Sequence, residues 1–247
     1  MEQKSIILAH IDDLAAKAVR DGCAASRFLT PAEAKAIAMR YARHREVALV
    51  FDGGYDGAER VRAILLNPDW GEYERIKLFR VLKVEIPQQE AVGHRDILGA
   101  AMALGIERAA IGDITETPPA LICLPELGDY IKDNLIKAGR AHIRLSDMEL
   151  CELSARTEDL TVKTDTVASL RLDAVLSAAF ALSRGRSAEL IETGLVNLDH
   201  ELCCQPAKEV SEGAILSVRG MGRVKLLEIG GVSKKGRRFI KMGLYKR

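Results

Sequence analysis

Two arginines, Arg184 and Arg186, follow Ser183 at the start of a short helical pattern. The first N–H groups of a helix have no intrahelical acceptor, and the aligned peptide dipoles make that end positive. Guanidinium groups in the same turn add full charges and fork-shaped donors. The ligand that suits this chemistry is a phosphate. Basic residues continue downstream at Arg219, Arg223, Lys225, Lys234, Lys235, Arg237, Arg238 and Lys241. They lie in glycine-punctuated segments that read as hairpins, from which side chains can project to one side. The pattern fits the backbone and shape of folded RNA better than base edges.

Other combinations carry less. Asp52-Gly53-Gly54-x-x-Gly57 falls between a strand pattern and a helix pattern, but it is not G-x-G-x-x-G and has no Walker lysine. A turn that needs glycine geometry is the expectation there. His10, His44, His94, His142 and His200 are far apart and form no H-E-x-x-H pair, so no metal is expected. His94-Arg95-Asp96 copies a kinase triplet without the glycine-rich loop or D-F-G that would surround it, and instead opens a helix. No cofactor and no catalytic residue is expected.

The 247 residues carry a net charge of only +1, but unevenly. Residues 161–247 hold 15 basic and 9 acidic side chains, and residues 220–247 hold 9 basic side chains and one acidic one, Glu228. Such asymmetry points to a polyanionic partner for the C-terminal part. Aromatic residues make up 4% of the chain, which argues against a broad stacking surface for single strands. Cys23, Cys123, Cys151, Cys203 and Cys204 are odd in number and contain no C-x-x-C, as expected of reduced thiols in a cytoplasmic protein. No apolar run approaches the ~18 residues of a membrane span.

The elements that must position these residues form three groups. Residues 1–75 read as mostly helical. Ile7, Ile11, Leu14, Ala15 and Ala18 mark one helix, Thr30-Pro31 with Glu33 starts a second, Val47–Phe51 is a short strand, and helix resumes over 58–66. Residues 76–150 read β-α-β-β-α-β, the ferredoxin-like split βαβ shared by RRM domains: strands over 76–86, 109–114, 120–124 and 141–145, helices over 94–104 and 126–138. Residues 166–247 begin with two helices, the second running from Ser183 to Gly194, and continue as strands over 195–198, 215–218, 224–229 and 239–244, with a hairpin at Asp199-His200. The fold class is α+β.

Arg171-Leu172-Asp173, the Ser183-Arg184 step, Val196-Asn197 and Val210-x-x-Gly213-x-Ile215 resemble the S-four RNA-binding domain. In that domain the two-helix face carries the RNA contacts. With the basic tail, the resemblance implies an RNA-binding set of Arg171, Ser183, Arg184, Arg186, Ser187, Asn197, Arg219, Arg223, Lys225, Lys234, Lys235, Arg237 and Arg238. Phe51–Arg60, His94–Ala100, Leu104-Gly105-Ile106, Ile111–Ile114 and Val218–Gly231 together resemble the YlmH family. That likeness implies a helical N-terminal part, an RRM-like middle domain and a C-terminal S-four domain. It also implies binding to the large ribosomal subunit, with ribosomal RNA and tRNA as partners, in the rescue of subunits that still hold peptidyl-tRNA. An older association of the family is with cell division. The alternatives are an RNA-modifying enzyme, such as a pseudouridine synthase, and a cell-division adaptor. Against the first, Asp173 lies inside an RNA-binding helix rather than in a catalytic domain; a synthetase would need HIGH, which is absent, and KMSKS, which Val232-Ser233-Lys234-Lys235-Gly236 resembles only superficially.

Overall fold

The structure, a computed structural model, describes residues 2–69, 73–154 and 160–245. The chain divides into two compact units, Met1–Arg156 and Thr157–Arg247.

The first unit begins with α1 (Glu2–Asp21), β1 (Cys23–Leu29), α2 (Pro31–Tyr41), β2 (Ala48–Asp52) and β3 (Val61–Leu66). Ile11, Ala15 and Ala18 turn one face of α1 into the core, as their spacing predicts. Thr30 caps α2: its hydroxyl accepts from the Glu33 amide at 3.3 Å, while the Glu33 carboxylate takes the Thr30 amide at 2.7 Å. Residues 1–75 are not mostly helical, however. β1, β3 and β2 form an antiparallel three-stranded sheet in that order, so β3 is its central strand and the helix expected over 58–66 does not form. The reason is burial on both sides: Ala63, Ile64, Leu65 and Leu66 are consecutive and all buried, which suits a central strand and not a one-faced helix. Ser26 of β1 fastens the pair, its hydroxyl accepting from the Ala63 amide at 2.9 Å.

The unit continues with β4 (Arg80–Glu85), α3 (His94–Ala103), β5 (Ile111–Glu116), β6 (Pro119–Cys123), α4 (Gly128–Asn134), the short pair β7 (Lys137–Ala138) and β8 (Ala141–His142), and β9 (Arg144–Met148). The sheet order β5-β6-β4-β9, antiparallel throughout, is the split βαβ read from the sequence. Its ends differ from expectation. Arg75–Lys77, Arg108–Ala110 and Pro125–Leu127 are single 3-10 turns, and α4 stops at Asn134 instead of continuing to residue 138.

The second unit contains β10 (Leu160–Val167), α5 (Leu172–Phe180), α6 (Arg184–Glu192), β11 (Val196–Leu198), β12 (Glu201–Leu202), β13 (Ile215–Val218), β14 (Gly222–Val232) and β15 (Arg238–Tyr245). Its antiparallel sheet has the order β10-β15-β14-β13-β11-β12. β10, not anticipated from the sequence, pairs along its whole length with β15. Asp199 and His200 both adopt positive φ, 49° and 67°, the backbone that a two-residue primed turn between twisted strands demands. The Asp199 carboxylate supports the turn by accepting from the Ile215 amide at 3.0 Å. Leu172, Val175 and Leu176 of α5 share one buried cluster with Leu226, Ile240 and Met242, which places the helices on one face of this sheet.

Candidate nucleic-acid interface

Ser183 caps α6 as expected, its Oγ accepting from the Arg186 amide at 3.1 Å. The two guanidiniums behind it are not free. Arg184 donates to Asp173 Oδ2 at 2.7 Å, and Arg171 donates to both Asp173 oxygens at 3.2 Å. The Asp173 side chain is only 7% exposed, whereas Arg171 and Arg184 are 45% and 48% exposed. A buried carboxylate therefore clamps two half-exposed arginines from different elements, the cap of α5 and the first turn of α6. Two positive groups against one negative leave the cluster with a charge of +1. Arg186 turns instead to Glu189, 2.7 Å away on the outer side of α6, where the pair is solvated and close to neutral. Nothing stands within 4 Å of the space a side chain at Gly185 would fill, so the backbone of the first turn is open to close approach.

Burial alone would raise the Asp173 carboxyl, but the hydrogen bonds and charges of Arg171 and Arg184 outweigh it and hold the group below the ordinary value of 3.8. A carboxyl depressed in the folded state contributes stability above its unfolded pKa and loses it as pH falls through the lower folded value. Charged hydrogen bonds contribute about 1.5–3 kcal/mol. With both arginines half exposed, about 1–2 kcal/mol remains for the cluster. Unfolding of the Asp173→Asn variant is expected to show a smaller loss of stability than the parent chain on acidification below about pH 4. Parallel curves for the two proteins in urea titrations at stepped pH would contradict this.

The other sequence-predicted residues divide by environment. Ser187 is fully buried, with no polar partner for its Oγ among the described residues, because it lies on the inward side of α6. It has no surface to offer a ligand. Asn197 and Arg219 are exposed, on β11 and just beyond β13. Arg223 and Lys225 are half-buried on β14, with the Arg223 guanidinium 5.2 Å from the ring centre of Tyr245. Lys234 and Lys235 are exposed at the tip of the β14–β15 hairpin. Arg237 is exposed but donates within the fold, to the Thr166 hydroxyl and carbonyl, and so pins the tip to β10. Arg238 is exposed, opposite Val167 and Val232. The structure thus brings Arg171, Ser183 and Arg184 together at one helix start and spreads the remaining basic residues over strands and a hairpin tip. Asp173, the group that orients two of the arginines, was not among the expected site residues. The alternation of charge in Arg171-Leu172-Asp173, with a second arginine past the next cap, was the signal for it.

The middle domain offers no comparable surface on its sheet. Val81 and Leu82 of β4, and Leu121 and Ile122 of β6, are neighbours in sequence and all buried, so both faces of the central strands are covered. Neither strand contains an aromatic residue, whereas RRM domains stack bases on aromatics there. Phe28 and Tyr55, from the first 75 residues, belong to the same core. The glycine loop is a structural joint, as its glycines suggest. Gly54 and Gly57 have φ of +93° and +82°, and a Cβ on Gly53 would lie 2.3 Å from that of Ala58. The Asp52 carboxylate already accepts from the Gly54 amide, the Tyr73 hydroxyl and the Nε and Nη2 of Arg75, at 2.7–2.9 Å. Asp96 likewise bonds the Gly93 amide at the start of α3, at 3.0 Å. Among the described residues no group of three or more His, Cys, Asp or Glu could hold a metal, all five cysteines are free thiols, and no helix is long and apolar enough to cross a membrane.

These features define a two-unit α+β protein: a split βαβ domain sealed against an N-terminal sheet, then a basic helix-pair-and-sheet unit. Comparison with known proteins makes the class specific. Residues 5–70 match the family model described as YlmH, N-terminal, and residues 73–152 match the putative RNA-binding domain in YlmH. The chain is 37% identical over 214 residues to the ribosome-associated protein quality control protein P2 of Bacillus subtilis (strain 168), covering 84% of this chain and 82% of that one. The chain belongs to the YlmH family. Among solved structures, the cell division protein ylmH from Streptococcus pneumoniae is similar at 21% identity and a TM-score of 0.47, over 61% of this chain and 90% of that one.

Proposed function

We propose that this chain is a non-catalytic RNA-binding protein of the cytoplasm that acts on the large ribosomal subunit, binding ribosomal RNA, tRNA or both in the quality control of stalled ribosomes that carry peptidyl-tRNA. The observation that carries the reading is the Arg171–Asp173–Arg184 cluster. It holds two guanidiniums in fixed orientation beside the open, positive start of α6, where a phosphate would meet fork-shaped donors and backbone amides together. The match of residues 73–152 to a putative RNA-binding domain and the name of the B. subtilis relative support a ribosome-associated, RNA-binding role for the chain as a whole, while the α6 site stands on its own geometry. On this reading the second unit is an S-four type domain, and the first unit sets its position on the particle. The Asp173 side chain is 7% exposed and sits behind the two arginines, which leaves it little access to a substrate base.

Binding of this kind releases counterions, so its affinity falls with salt, with a slope near −0.9 per phosphate neutralised on duplex nucleic acid. Co-sedimentation of the full chain with purified large subunits, in a series from about 50 to 200 mM salt, is expected to show a steep loss. With three to four phosphate contacts, binding should weaken by roughly 40- to 150-fold across that range. Salt-independent co-sedimentation, or none at the lowest salt, would refute the proposal. Mass spectrometry of nucleosides from treated RNA should detect no new modification.

A further inference from the structure

The first unit carries a groove that the RNA-binding reading leaves unused. Two adjoining cavities, of about 390 and 480 Å³, share Tyr55, Asp56 and Arg75 and run from the glycine loop to the turn after β9. The floor of the second is apolar: Leu153 is buried, Leu150 is half-buried, and Ile76 stands beside them 63% exposed. Its walls are held in place. Arg75 donates to both Asp52 oxygens, at 2.7 and 2.8 Å. A Cβ on Gly54 would come within 3.2 Å of the Leu150 side chain, so the glycine loop lies directly against it. The charge of the groove is lopsided. The buried Asp52 carboxylate neutralises Arg75. Asp56 and Glu149 are exposed on the rim, and neither is in an ion pair among the described residues. Three carboxylates against one guanidinium leave a net charge of −2.

We propose that this groove docks an extended, basic segment of a partner protein, which seats an apolar side chain on Ile76, Leu150 and Leu153 and sets lysine or arginine against Asp56 and Glu149. Charge complementarity selects the occupant: the negative rim repels the phosphates of RNA and attracts a cation. An extended chain sends alternate side chains the same way, about 7 Å apart, so two cavities side by side accept two of them. The apolar floor calls for more than a bare cation. Burial of Ile76 and of the side chain set on it supplies affinity, while the exposed rim pairs mainly orient the segment and speed its arrival. Because the walls are already fixed, little ordering is needed on binding. The inference goes beyond the RNA-binding reading and does not depend on it, since every residue named belongs to the first unit.

The test measures anisotropy of two labelled heptapeptides with the full chain, one alternating arginine and leucine, the other glutamate and leucine. The arginine peptide is expected to bind about tenfold or more tighter than the glutamate one. Asp56→Lys combined with Glu149→Lys should weaken it about tenfold or more. Asp56→Asn with Glu149→Gln, which keeps the shape of the rim, should weaken it about threefold. Ile76→Ser should cost about fivefold. Asp13→Lys with Asp133→Lys changes the net charge equally at exposed acids outside the groove, and should alter binding less than about twofold. A benzophenone in place of the central leucine should cross-link to the peptides that hold residue 76 or residues 150–153. Equal affinity for both heptapeptides, equal losses for the rim pair and the distant pair, cross-links elsewhere, or no binding of the arginine peptide at about 1 mM would overturn the docking site. Cross-links of 4-thiouridine RNA to the same residues, or a dimer of the chain that the rim variant abolishes, would give the groove another occupant and overturn it as well.

Discussion

Asp113→Ala is expected to destabilise the first unit by about 3–5 kcal/mol, a large part of the 5–15 kcal/mol typical of a whole domain. The carboxylate is buried in β5 and accepts from the Tyr55 hydroxyl at 2.8 Å and from the amides of Glu59 and Arg60 at 2.7 and 3.1 Å. Charged hydrogen bonds contribute about 1.5–3 kcal/mol each, and those removed together are not fully additive. The residues that donate belong to the glycine loop before β3, so this one side chain fastens the N-terminal sheet to the split βαβ domain. The Arg60 guanidinium reinforces the joint by donating to the carbonyls of Phe28 and Ile111, at 2.9 and 3.2 Å. Tyr55→Phe removes one donor and should cost about 1–2 kcal/mol. Urea unfolding followed by far-ultraviolet circular dichroism measures both. A loss below 1 kcal/mol for Asp113→Ala would mean that the loop is held by other contacts.

The second large effect concerns RNA. Replacing Arg171 and Arg184 together by glutamate is expected to reduce affinity for large subunits about 100-fold or more. Two charged hydrogen bonds at about 1.5–3 kcal/mol each exceed the 2.8 kcal/mol that a hundredfold change requires. The order among variants is the sharper statement. Arg184→Ala should weaken binding by about 1–3 kcal/mol, and Arg186→Ala by much less, because Arg186 is paired with Glu189 on the solvated side of α6. Equal effects at 184 and 186 would show that only the total charge matters. Thermal unfolding of each variant separates lost binding from lost fold, a necessary control since glutamate at 184 would face the buried Asp173.

The sequence alone was enough for whatever depends on neighbours along the chain. The Thr30 and Ser183 caps, the β-α-β-β-α-β order, the glycine geometry at 53–57 and the charge asymmetry were all legible, because caps, turns and periodicity act over a few residues. It misled at β3, where a buried central strand and a helix have the same apolar content over six residues and only the partners on either side decide. It also missed β1 and β10, which are edge strands, each fixed by pairing with one partner far along the chain. At the candidate interface it counted charges but could not pair them. That Arg184 belongs to Asp173 and Arg186 to Glu189, that Ser187 faces inward, and that Arg237 holds a hairpin to β10 are results of tertiary packing. An arginine reaches over its own turn or across elements to the nearest carboxylate, and which carboxylate is nearest is settled only when the helices and strands have packed.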